Sequence, residues 1–249
     1  RYFAQGQEST IFPFKNEKIA ITICEDIWND KTYWSPGDYS TNPVRESILA
    51  GATHIVNLSA SPFGRGKQHA RLKILQSISK EHGIPLVYVN QVGGNDGLIF
   101  DGRSVVVSPT GGKVLRAPAF KAGCFVIDSN SHETNADDSL HWSEHRDVRE
   151  ALILGIRDYV RKCGFSKVVI GLSGGIDSTI TAALAAEALG PENVIGLSMP
   201  SLYSSEGSIQ DAKELAARLK IRLDIIPITS IFDEFNASLK EPFQNFDND

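Results

Sequence analysis

Apolar positions along this chain follow two rhythms, one short and β-branched, the other spaced for helices. EKIAITI (17–23) is short, β-branched and followed by turn chemistry, which predicts a strand. NPVRESILAGA (42–52) predicts a short helix with Pro43 near its start, where a missing N–H costs little. THIVNLSAS (53–61) predicts a strand running into a loop. GKQHARLKILQSISKEHG (66–83) predicts an amphipathic helix carrying Leu72, Leu75 and Ile78, closed by Gly83. IPLVYVNQV reads as a buried strand, GRSVVVSPTGGKVLRAP as a hairpin turning at Pro109 to Gly112, and AGCFVID as one more strand. Alternation followed by hairpins predicts a layered α/β domain with strands buried between helices.

DSNSHETNADDSLHWSEHRD (128–147) breaks the pattern: it is polar, acidic and poor in aliphatics, as a linker is. DVREALILGIRDYVRKCG then predicts a helix with Val148, Leu152, Ile156, Tyr159 and Cys163 on one face. Next come a strand (167–171), a glycine loop and a helix (178–189). ENVIGLSMP reads as a strand, SSEGSIQDAKELAARLK as a helix capped by Ser204 or Ser205, and IRLDIIPI as a strand. This β-loop-α-β-α-β series predicts a doubly wound parallel sheet. The expected division is a first domain at 1–128, a linker at 129–146 and a second domain at 147–249.

At 249 residues, one or two domains are expected, and 41% hydrophobic content lets both halves bury a core. The net charge of −5, with no basic run, argues against nucleic acid or an anionic membrane as partner. No apolar stretch reaches the ~20 residues of a membrane span. Cys24, Cys124 and Cys163 have neither metal-ligand nor redox spacing, which fits a reducing, cytoplasmic setting. Cys124 and Cys163 read as small core hydrophobes. The start at Arg1 and the tail QNFDND suggest a chain cut at both ends from a longer protein.

Two segments carry chemistry. Ser173-Gly174-Gly175-Ile176-Asp177-Ser178 joins a strand to a helix. Two glycines let the backbone approach an anion, and the N–H groups of the following helix face it. Neither a Walker loop nor a Rossmann loop fits the spacing. A carboxylate at Asp177 beside phosphate implies Mg²⁺ between them. The second segment ends a predicted strand with Cys24, before Glu25 and Asp26. A thiol there is a candidate nucleophile that needs a nearby base or cation to form thiolate.

Strand-S-G-G-I-D-S-helix resembles the PP-loop of the ATP pyrophosphatases. That resemblance implies an ATP site of Gly171, Leu172, Ser173, Gly174, Gly175, Ile176, Asp177, Ser178 and Met199, with Mg²⁺ on Asp177. ICEDIW, NLSASPF and YVNQVGG resemble the glutaminase domain of the glutamine-dependent NAD⁺ synthetase family, within the nitrilase superfamily. REALILGIRDYVRKCGFSKVVIGLSGGIDS, ALGPENVIGLSMPS and YSSEGSIQDAKELA resemble that family's synthetase domain, so the likeness covers nearly the whole chain.

The resemblance implies a nitrilase-like α-β-β-α sandwich followed by the doubly wound PP-loop domain. It implies Cys24 as the attacking thiol, a Glu25 backbone N–H on the oxyanion, and glutamine recognition by Ser61 and Lys67. The reaction implied is ATP-dependent amidation of nicotinic acid adenine dinucleotide to NAD⁺ through an acyl adenylate, with ammonia from glutamine. Its small-molecule partners are glutamine, ATP and nicotinic acid adenine dinucleotide, and the family's habit implies a homo-oligomer. The family's catalytic glutamate and lysine are expected upstream of RYF. The segment 29–43 is longer than the family pattern, and Gly97 and Leu202 depart from it. Two readings compete: another PP-loop amide-forming enzyme, or a non-catalytic ATP-binding module.

Overall fold

The computed structural model describes residues 9–28, 41–128 and 143–243. The chain divides into two compact units, Arg1–Ala151 and Leu152–Asp249. In chain order the first contains β1 (Thr10–Phe14), β2 (Glu17–Ile23), α1 (Pro43–Leu49), β3 (His54–Ser59), α2 (Lys67–His82) and β4 (Leu86–Asn90). Then follow β5 (Val92–Asn95), β6 (Leu98–Asp101), β7 (Val105–Val107) and β8 (Lys113–Arg116). Six of these strands form one sheet in the order β1-β2-β3-β4-β7-β8, with β2, β3 and β4 parallel. The hairpin β5–β6 forms a separate two-stranded sheet.

Register explains the core. Ala20 pairs with Ile55, Ile55 with Leu86, and Leu86 with Val107. All four are fully buried. Large apolar side chains buried in this way contribute about 1.5–3 kcal/mol each. Ile74, Leu75 and Ile78 of α2 and Val44 of α1 join the same cluster. Local chemistry sets the helix ends: Asn42 Oδ1 accepts from the Arg45 N–H at 3.1 Å, and Gly83 closes α2 at φ +65°.

The second unit is built on β9 (Val168–Gly171), α4 (Ile176–Leu189), β10 (Val194–Ser198), α5 (Glu206–Leu219), β11 (Arg222–Ile225) and α6 (Thr229–Lys240), and α3 (Glu144–Lys162) precedes β9. The three strands are parallel in the order β11-β10-β9. Both crossovers step the same way, so right-handed connections put α4 and α5 on one face. Ala182, Ala185 and Ala186 of α4 share a buried cluster with Ala212 and Ala216 of α5. Both units are thus α/β. Among the described residues no helix is long and apolar enough to cross a membrane.

Four expectations need correction. Residues 121–128 form no strand, and Val126 is 97% exposed; among the described residues no strand pairs with them. Cys124 and Cys163 are exposed rather than buried. On α3 the buried residues are Ala151, Ile153, Leu154 and Val160, whereas Leu152, Tyr159 and Cys163 face outward. Leu152, Ile153, Leu154 and Ile156 offer several apolar faces, and packing selects the one that periodicity did not. Helix α4 begins at Ile176, two residues earlier than read, so Asp177 and Ser178 lie in its first turn. Most of the expected linker (129–142) and most of the long segment after CEDIW (29–40) fall outside the described residues.

Candidate functional site

Strands β2, β3 and β4 run parallel, so their carboxyl ends meet at one edge, where open α/β sheets present ligand sites. Side chains along this face change character toward that edge. After the apolar rung of Ala20, Ile55 and Leu86 comes a polar one of Thr22, Asn57 and Tyr88, all buried. Asn57 donates to Thr22 Oγ1 at 2.9 Å and accepts from the Ser59 hydroxyl at 2.6 Å.

Cys24 follows β2 and opens a single 3₁₀ turn, Cys24–Ile27. Its φ is +46°, a conformation that costs a side chain about 1–2 kcal/mol. The surroundings hold it there. The Ile23 N–H donates to Asp26 Oδ2 at 2.7 Å, the Trp28 N–H donates to the Glu25 carbonyl at 2.9 Å, and Ile27 is buried in the core. The Asp26 carboxylate is thereby turned back onto the backbone. Cys24 is half-buried and Glu25 exposed.

Lys67 opens α2, and its ammonium lies 5.8 Å from the centroid of the Trp28 ring. Burial lowers its pKa from the usual lysine value, and the like charge of Arg71 adds to this; Asp101 and Cys24 pull the other way. Cys24 and Lys67 therefore share one electrostatic neighbourhood. Ser61 is buried, and its Oγ accepts from Arg71 Nη2 at 3.3 Å. Asn90, at the end of β4, grips the Ser61 backbone: its Oδ1 accepts from the Ser61 N–H at 2.9 Å, and its Nδ2 donates to the Ser61 carbonyl at 3.3 Å.

In the second unit β9 ends at Gly171 and the chain turns through Leu172, Ser173 and Gly174 into α4. Gly174 adopts φ +82°, and a Cβ there would lie 2.5 Å from the Ser208 carbonyl oxygen, so only glycine fits. Ser173 Oγ accepts from the Gly175 N–H at 3.2 Å and lies 3.3 Å from Ser178 Oγ. Ser178 Oγ and Thr179 Oγ1 both donate to the Gly175 carbonyl, at 3.0 and 2.9 Å. The Ile176, Asp177 and Ser178 N–H groups have no helical acceptor, which suits an anion.

Beside this loop lies a cavity of about 420 Å³. Gly171, Leu172, Ser173 and Met199 line it; the other predicted nucleotide residues, Gly174 to Ser178, follow Ser173 in the chain and are not among its lining residues. Sequence reasoning missed Tyr203, Ser205 and Ser208 as lining residues. Ser205 was legible only as a helix cap, which it is: its Oγ accepts from the Ser208 N–H at 3.1 Å. Tyr203 packs edge-on against Phe232 with ring centroids 5.7 Å apart. No group of three or more metal-ligating side chains occurs among the described residues. A single carboxylate such as Asp177, in the first turn of α4, is compatible with Mg²⁺, which takes one or two protein carboxylates and fills its shell with phosphate and water.

Comparison with known proteins yields two family matches along the chain: carbon-nitrogen hydrolase over residues 1–135 and NAD synthase over residues 148–249. A glutamine-dependent NAD(+) synthetase of Synechocystis sp. is 46% identical over 98% of this chain and 45% of its own length. One from Aquifex aeolicus is 38% identical over 97% of this chain and 47% of its own. A solved structure of the Acinetobacter baumannii glutamine-dependent NAD⁺ synthetase, in complex with ADP, superposes with a TM-score of 0.83. It is 34% identical and covers 100% of this chain and 46% of its own. The chain spans about half the length of the curated relatives it matches. By these matches the chain belongs to the carbon-nitrogen hydrolase family, joined in one polypeptide to a segment that matches NAD synthase.

Proposed function

We propose that this chain carries the nucleophile of the glutaminase centre and the anion loop of the ATP centre of a glutamine-dependent NAD⁺ synthetase. The supporting observation is the pairing, in one polypeptide, of a thiol on a strained turn at Cys24 with a glycine-serine anion loop at Ser173–Ser178. The order of the two family matches agrees with it.

At the first centre the Cys24 sulfur attacks the side-chain amide carbon of glutamine. The C–N bond breaks, ammonia leaves, and water hydrolyses the thioester to glutamate. The Glu25 backbone N–H faces the oxyanion, while Ser61 and Lys67 hold the amino-acid end. At the second centre a carboxylate oxygen of nicotinic acid adenine dinucleotide attacks the α-phosphorus of ATP, and pyrophosphate leaves. Ammonia then attacks the acyl adenylate and AMP departs, giving the carboxamide of NAD⁺. Gly174, Gly175 and the first-turn N–H groups of α4 grip the pyrophosphate, with Ser173 and Ser178 beside them. Gly171, Leu172 and Met199 border the adenosine. Asp177 would hold Mg²⁺, which when bound supplies charge neutralisation to the phosphates. A cytoplasmic homo-oligomer belongs to the same reading.

The test uses the chain extended to the length of its relatives. NAD⁺ formation is measured with glutamine and, separately, with free ammonia. Cys24→Ala is expected to abolish the glutamine route, by at least about 10³-fold, and to spare the ammonia route. Loss of neither route would remove Cys24 from the chemistry. A wild-type protein that makes no NAD⁺ from either nitrogen source would end the reading.

A further inference from the structure

Beneath Ser61 lies a buried ionic cluster that the proposed reaction does not use directly. Arg71 is 3% exposed and Asp101 is 1% exposed. Arg71 donates to Asp101 Oδ1 from Nη1 at 3.2 Å and from Nη2 at 3.3 Å, and the same Nη2 reaches Ser61 Oγ at 3.3 Å. The guanidinium also sits over the Tyr88 ring, 5.5 Å from its centroid. The other Asp101 oxygen accepts from Arg103 Nη1 at 3.2 Å, and Arg103 Nη2 donates to Asp147 Oδ1 at 2.6 Å. Asn90 Nδ2 adds a third contact to Asp101 Oδ1, at 3.3 Å.

A buried ion pair of this kind is weak evidence for stability, because desolvation offsets most of its attraction. Geometry suggests a different purpose. A guanidinium can only donate, so Ser61 Oγ must be the acceptor in its contact with Arg71. The contact takes one Ser61 lone pair and leaves its proton to give, with the buried Tyr88 hydroxyl as the competing neighbour. Asp101 can only accept, and it fixes the guanidinium plane from which that polarity follows.

We propose that Arg71, oriented by Asp101, is a positioning residue for glutamine binding. It occupies one acceptor position of the Ser61 hydroxyl and so favours donation of its proton to a carboxylate or carbonyl oxygen of the substrate. This rests on the glutaminase reading above. Asn90 holds the Ser61 backbone while Arg71 sets the side chain, so the two act on different atoms of one residue.

The experiment is a cycle of Ser61→Ala, Arg71→Lys and the double variant, in protein extended to the length of its relatives. It reads KM and kcat for glutamine and for free ammonia, and the melting temperature. Lysine keeps the charge but cannot fork between Asp101 and Ser61. Arg71→Lys is expected to raise the glutamine KM by about tenfold, with kcat from ammonia unchanged. In the double variant the KM is expected to match that of Ser61→Ala alone, because Arg71 acts through Ser61. Additive losses, or equal falls in the glutamine and ammonia routes, would assign Arg71 to folding and overturn the proposal. A glutamine KM within twofold of wild type would overturn it too. If the wild type releases no ammonia from glutamine, the functional reading fails and this proposal with it. In every other outcome the two stand or fall separately.

Discussion

The two candidate sites are built from different materials. At the thiol site, side chains from four elements converge: Cys24 after β2, Ser61 after β3, Lys67 and Arg71 on α2, and Asn90 at the end of β4. These groups are all buried or half-buried, and Ser61, Arg71 and Asn90 are joined by side-chain hydrogen bonds. At the glycine loop, one run of six residues supplies nearly every candidate group, and these are backbone N–H groups with exposed hydroxyls. Such a loop depends on conformation more than on residue identity. The thiol site depends on the identity of residues that lie far apart in the chain.

The contrast predicts unequal responses to small changes. The largest effect is expected from Gly174→Ala. One methyl group would meet the Ser208 backbone at 2.5 Å and force a positive φ on alanine. Displacing the loop by even ~1 Å is expected to cut ATP-dependent pyrophosphate release by at least about 10²-fold. Ammonia release at Cys24 should persist at its basal rate, so assaying both reactions on one preparation checks the independence of the two centres. Loss of both in the Gly174 variant would break the comparison.

A smaller effect separates the sites by pH. Burial and Arg71 lower the pKa of Lys67, so its ammonium discharges below the usual value of 10.5. The charged form is the one that would attract a substrate carboxylate. Glutamine KM should therefore begin to rise at a pH below 10.5, while the ammonia route carries no such limb. Lys67→Arg, which stays charged, is expected to move the rise to higher pH. The same shift affects stability. The folded state gives up the Lys67 proton before the unfolded state does, so this group's contribution to stability increases as pH climbs from the folded pKa toward 10.5. A KM profile identical in wild type and Lys67→Arg would take Lys67 out of substrate binding.

The smallest expected change is at the cap of α5. Ser205→Ala removes the acceptor for the Ser208 N–H and should cost about 1 kcal/mol, read as a lower melting temperature. Because Ser205 also lines the cavity beside the loop, the ATP KM should rise modestly as well. A change in melting alone would mark Ser205 as a cap and nothing more.

What could be read from the sequence follows the same divide. The strand-loop-helix geometry of the glycine loop was legible because strand, glycines, serines and helix are contiguous, and only the first turn of α4 was misplaced. EKIAITI was legible because β-branched alternation between turns has one good solution. The hairpin β5–β6 was missed because Gly93 and Gly94 dilute its apolar pattern, although Asp96-Gly97 marks its turn. Strand β1 was missed because it carries Pro13, which is tolerated at a sheet edge, where β1 lies among the described strands. The cluster of Arg71, Asn90 and Asp101 could not be read at all. Its members lie on a helix, a parallel strand and a hairpin strand, and only the tertiary fold brings them together.

The positive φ of Cys24 has a consequence for how this protein could be redesigned. Its backbone there suits glycine better than the residue it carries. Cys24→Gly would relieve the left-handed joint, whereas Cys24→Ala keeps the Cβ and so the strain. Of two equally inert proteins, the glycine one should be the harder to unfold. A search guided by thermal robustness alone would thus tend to erase the thiol, and only selection for its chemistry would keep it in place.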